Sequence, residues 1–110
     1  MPRTRRALAA LALFAALAWL TPAAQAGDTA ITIDNFSFTP ARVTVPAGTH
    51  VVWTNRDDIP HTVTSDDKPR TLKSSPLDTG DQYSMTFDKP GTYAYFCSLH
   101  PHMQGTVVVQ

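Results

Sequence analysis

The stretch YFCSLHPHMQG, residues 95–105, holds the single cysteine of the chain, two of its four histidines and one of its three methionines. His100 follows Cys97 at the third position and Met103 at the sixth. A thiolate, an imidazole and a thioether are soft or borderline donors, so this loop suits a metal that takes sulfur and nitrogen together. Far upstream, His61 follows Pro60 and the turn-rich NRDDIP. Two histidines, a cysteine and a methionine compose the trigonal set with a weak axial thioether that describes an electron-transfer copper centre. Cys and Met favour Cu(I) and His accommodates Cu(II), so a geometry between the two preferences changes little when one electron moves. Each residue alone has an ordinary reading: a buried cysteine is a small hydrophobe, a histidine before a strand lies on the surface, and a methionine fills a core. The joint spacing Cys-x2-His-x2-Met after an aromatic run, with a distant Pro-His pair, favours the metal.

The rest of the chain must position these groups. Residues 1–26 combine a basic head (Arg3, Arg5, Arg6), the apolar run ALAALALFAALAWL and the end Ala24-Gln25-Ala26, the composition of a secretory signal peptide. The run is shorter than the roughly twenty residues of a membrane span. Cleavage is expected after Ala26, with export by the general secretory route to a periplasm and no membrane attachment afterwards. The remaining 84 residues carry six basic residues against nine aspartates, a net charge of −3. A mildly acidic surface does not suggest nucleic acid as a partner. One domain, 27–110, is expected, of a size that often relies on a metal or a disulfide. An internal disulfide is excluded, because Cys97 has no second cysteine to pair with. A lone thiol in an oxidising compartment is open to attack unless something occupies it.

Strands are expected at TAITIDNFSF (29–38), RVTV (42–45), THVVWTN (49–55), HTVTS (61–65), QYSMTF (82–87), TYAYFC (92–97) and GTVVVQ (105–110), with a long irregular loop over 66–81. Alternating apolar residues and Pro/Gly punctuation, without helical periodicity after residue 26, indicate an all-β sandwich. Alternation places Tyr93, Tyr95 and Cys97 on one face, as it does Val51, Trp53 and Asn55, and Tyr83, Met85 and Phe87. These sets are expected inside, with Cys97 at the sheltered end of a core strand. His50 is expected on the solvent side. Asn35-Phe36-Ser37 matches an N-glycosylation pattern but falls within an expected strand.

NFSFTPARVTVPAGTHVVWTNRDDIPHTV resembles the N-terminal half of a cupredoxin, and GTYAYFCSLHPHMQGTVVV resembles the C-terminal ligand loop of that family. The two residues between His100 and Met103 are similar to the short amicyanin-type loop; plastocyanins have a longer one. The resemblance implies an eight-strand Greek-key β-sandwich with one copper ion at one end. It implies His61, Cys97 and His100 as equatorial ligands and Met103 as the axial one. It further implies that Asn55 ties the two ligand-bearing loops together through Ser98, although a strand-end Asn also caps turns. By the same resemblance His100 presents its ring edge through an apolar patch, for which Ile59, Pro60, Leu99 and Pro101 are the candidates. His102 departs from the amicyanin pattern, which has a bulky apolar residue there, and this argues against methylamine dehydrogenase as partner; His102 is expected on the surface.

The expected function is a monomeric carrier of single electrons between transient protein partners, a dehydrogenase and a c-type cytochrome being the kinds considered. Copper storage or delivery is the alternative, although delivery favours exchangeable sites over a sheltered cysteine. Copper oxidases and nitrite reductases need further metal centres, for which the chain has too few histidines. A metal-free binding module would leave the ligand spacing unexplained.

Overall fold

A computed structural model describes residues 27–110; the expected signal peptide lies outside the described residues. Seven strands form: β1 (Asp28–Asp34), β2 (Ser37–Thr39), β3 (Arg42–Val45), β4 (Thr49–Asn55), β5 (Gln82–Phe87), β6 (Gly91–Cys97) and β7 (His100–Val109). They make two sheets, ordered β2-β1-β4-β5 and β3-β7-β6. Each sheet mixes directions: β1 runs parallel to β4 and β3 parallel to β7, while the other pairs are antiparallel. Among the described residues there is no helix, and the all-β sandwich read from the sequence is the observed fold.

The inward faces follow the alternation. Val51, Trp53, Asn55 and Cys97 are fully buried and Tyr95 and Phe87 nearly so, while Tyr83, Met85 and Tyr93 pack against this core half-buried. Trp53 lies at the centre, edge-on to Tyr95 at 5.4 Å between ring centroids and tilted against Tyr83 at 5.7 Å. Such aromatic pairs add about 0.5–1.5 kcal/mol beyond their buried area. Burial pushes the Tyr95 hydroxyl up to about 12, so it stays protonated and uncharged.

Three expected elements differ. The segment 29–38 is not one strand: Asn35 and Phe36 take positive φ, 49° and 57°, and turn β1 back onto β2. Both central residues of such a two-residue hairpin turn need this conformation. Asn tolerates it, but a bulky aromatic rarely adopts it. Phe36 is held there by its N–H, which donates to Asp57 Oδ2 at 3.1 Å. The segment 61–65 forms isolated bridges rather than a regular strand, so the eighth strand implied by the resemblance is absent among the described residues. Its backbone is shared between two neighbours: His61 exchanges bonds with Leu77, and Thr64 with Phe96. Finally, β7 begins at His100 rather than near residue 105, which makes the ligand loop the tip of the β6–β7 hairpin.

Within the 66–81 loop, Asp67 accepts hydrogen bonds from the Ser65 and Thr71 hydroxyls and from Thr71 N. The Ser65 bond chiefly, then the Thr71 bonds, hold its carboxyl down at about 2, below the ordinary 3.8. A group with a depressed folded value contributes stability above its unfolded value and loses it as pH falls through the folded one. Urea midpoints of wild type and Asp67→Ala are therefore expected to differ at neutral pH and to converge as pH drops from about 4 towards about 2. A gap that persists unchanged in acid would refute this role.

Gly105 faces Tyr95 across the β6–β7 ladder, and a Cβ there would be driven into the tyrosine ring. Gly105→Ala is expected to lower stability by about 1–3 kcal/mol, as overpacking does, read as a lower urea midpoint with an unchanged slope.

Candidate metal centre

Cys97 ends β6 and His100 begins β7, facing each other across the two-residue turn Ser98-Leu99, with a register shift between Phe96 and Cys97. Cys97 Sγ lies 3.7 Å from His100 Nδ1 and 3.6 Å from His61 Nδ1. One donor atom from each of the three residues lies within 4.8 Å of the other two. His61 and Cys97 are fully buried, whereas His100 is half-buried and reaches the surface. Met103 is buried in β7 at 3 % exposure. The donor set, two imidazole Nδ1 atoms and one sulfur, fits copper between its two oxidation states.

The surrounding bonds orient these donors before any metal arrives. His61 Nε2 lies 2.9 Å from Asp57 Oδ2. A carboxylate only accepts, so the proton sits on Nε2 and the Nδ1 lone pair is free to face the sulfur. Asp57 is 8 % exposed, and it also accepts from the N–H groups of Phe36 and Asp58. The His61 bond first, then that of Phe36, holds its carboxyl below the usual carboxylate range, against the opposing effect of burial. Thr62 N–H donates to Cys97 Sγ at 3.3 Å. The Thr62 hydroxyl accepts from Ser98 N at 2.8 Å and bonds the hydroxyls of Ser98 and Thr64.

Asn55 does not reach Ser98. Its Nδ2 donates to the carbonyls of Ile59 and Leu77, and its Oδ1 accepts from Asp57 N. With those groups engaged, Asn55 shapes the 55–59 turn that delivers Asp57 and His61, and Thr62 joins Ser98 to the other ligand segment instead. Around His100, Pro60, Leu99 and Pro101 are exposed and Ile59 is half-buried. Phe36 joins them at 47 % exposure, its ring edge-on to His61 at 5.7 Å and to His100 at 5.1 Å. His102 is exposed, as expected; His50 is partly exposed and bonds Asp28 at 3.0 Å, away from the centre.

Three contributors escaped the sequence. Phe36 was hidden by reading β1 and β2 as one strand, and Thr62 carries no spacing signal. Asp57, four residues before His61, offered a signal: a carboxylate near a candidate ligand histidine is a common orienting partner.

The cupredoxin-like domain model matches residues 7–109. The chain belongs to the cupredoxin family. Amicyanin-alpha of Methylorubrum extorquens is 38% identical, the match covering 93% of this chain and 94% of that one. Plastocyanin of Scenedesmus fuscus is 37% identical over 66% of this chain and 86% of its own. Among solved structures, a purple cupredoxin from Nitrosopumilus maritimus superposes with a TM-score of 0.70 at 36% identity, covering 76% of this chain and all of that one.

Thr62 ties the two ligand segments of this cupredoxin together. Thr62→Val leaves the Ser98 N–H without its acceptor and is expected to lower the stability of the metal-free protein by about 1–3 kcal/mol. Thr62→Ser, which keeps the hydroxyl, is expected to recover most of the loss. Equal urea midpoints for Thr62→Val and wild type would refute the tie.

Proposed function

We propose that this cupredoxin is a type 1 blue copper protein of the periplasm that carries single electrons between transient protein partners. His61, Cys97, His100 and Met103 would hold the copper. The convergence of Cys97 Sγ with the two Nδ1 atoms at 3.6 and 3.7 Å carries this reading. The amicyanin and plastocyanin relatives support it, and so does the signal-like composition of residues 1–26. Copper, when bound, supplies the Cu(II)/Cu(I) couple. The protein supplies the rest: Thr62 N–H holds the sulfur, Asp57 holds the His61 tautomer, and the β6–β7 turn holds His100 against Cys97. A site already formed in the folded chain requires little reorganisation when one electron arrives or leaves.

His100 is the exit. Its half-buried ring links the sulfur to solvent within a rim of Pro60, Leu99 and Pro101, and a small exposed apolar rim suits brief docking. A dehydrogenase and a c-type cytochrome are the kinds of partner that fit such a carrier, which acts as a monomer and performs no substrate chemistry. The full burial of Cys97 weighs against copper delivery, which requires easy exchange.

Cu(II) titration of purified residues 27–110 and of Cys97→Ser tests the proposal. An intense visible band saturating at one copper per chain is expected in the wild type, bleached on reduction and absent in Cys97→Ser. A colourless wild type would overturn it.

A further inference from the structure

The carboxylate of Asp57 sits behind the copper-facing side of His61, and among the described residues no Lys or Arg pairs with it: its three partners are the His61 ring N–H and two backbone N–H groups. It lies at the meeting point of three segments: the β1–β2 hairpin tip through Phe36 N, the 55–59 turn through Asp58 N, and the ligand His61 itself. The positive φ of Phe36 brings its N–H onto the same oxygen that takes the imidazole proton. That is a purpose-built seat for an anion, next to a ligand and largely out of water.

We propose that Asp57 is the positioning residue that sets the reduction potential of this centre, holding it low by placing a fixed negative charge on His61 and locking that ring in the Nδ1-ligating tautomer. The inference rests on the copper reading above. The sign follows from charge: the oxidised ion carries one more positive charge than the reduced ion, so a nearby carboxylate stabilises it more. Little water intervenes to screen the interaction. The hydrogen bond acts in the same direction, since an imidazole donating to a carboxylate is a more basic ligand.

The variants separate charge from shape. In Asp57→Asn the amide oxygen can still take the His61 and Phe36 protons, so the tautomer survives and the charge is lost, while Asp58 N gives up its acceptor. Asp57→Glu restores the charge. Asp58→Asn removes the same charge from the exposed neighbour and measures what general surface electrostatics contributes. The potentials of the four copper-loaded proteins are compared by voltammetry at one pH and salt concentration.

Asp57→Asn is expected to favour Cu(I) over Cu(II) by about tenfold or more, a rise of about 59 mV for one electron. Asp58→Asn is expected to give less than a third of that shift, and Asp57→Glu to return most of it. An Asp57→Asn potential equal to wild type, or no larger in shift than that of Asp58→Asn, would overturn the proposal even if the variant were less stable. A second readout needs no metal. Nitrogen NMR of the metal-free wild type is expected to show His61 as the Nε2–H tautomer, and Asp57→Leu a mixture of tautomers. The Nδ1–H form in the wild type would sink the idea. Failure of the wild type to bind copper at all would instead overturn the function on which this inference rests, while the tautomer measurement would still judge the Asp57–His61 bond.

Discussion

Thr62 is the residue on which the centre depends. The candidate ligands arrive on two segments far apart in sequence; Thr62 sits on one of them, next to His61, and bonds the other twice. Its N–H reaches the Cys97 sulfur and its hydroxyl reaches Ser98, one residue further on. A hydroxyl can donate once and accept twice, which lets one small side chain serve the Ser98 amide as well as the Ser98 and Thr64 hydroxyls. Two such anchors, one at each of two consecutive residues, fix both the position and the direction of the turn that follows. His100 then needs only that turn to lie beside the sulfur.

The sandwich beneath makes the anchors rigid. The residue two before Cys97 on its strand is Tyr95, wedged between Trp53 and Phe38 and facing a glycine across the ladder. No slack is available for β6 to slide, so the end of the strand stays where the core puts it. On the other side, His61 shares its backbone bonds with Leu77, and Thr64 shares its own with Phe96. The segment between the sheets therefore acts as a strap, bonded alternately to the long loop and to the edge of β6. Its irregularity is what allows it to serve both neighbours.

Much of this was legible. The alternation in THVVWTN and QYSMTF named the inward-facing residues, because a strand has only two faces, although Tyr83 and Met85 are only half-buried. The spacing from Cys97 to Met103 pointed to a metal because few other demands collect such donors. The misread parts were those set by long-range partners. Nothing local in NFS signals that Phe36 is held at positive φ by a carboxylate twenty-one residues away. Asn55 was assigned to Ser98, but the amide is consumed by the carbonyls of Ile59 and Leu77, and neither bond can be read from spacing. The tie passed to Thr62, whose role depends on where two remote segments meet.

The contiguity of Cys97, His100 and Met103 has a thermodynamic consequence. Three donors lie within seven residues, while His61 is thirty-six residues from Cys97. Closing the short segment around an ion costs little chain entropy, whereas recruiting His61 requires the whole sandwich. The denatured chain thus retains a partial binding site of its own. A ligand that also binds the denatured chain stabilises the native one by less than its native affinity alone implies. Tight holding of metal and strong protection against unfolding are separate properties in this architecture, and the first can be large while the second stays modest.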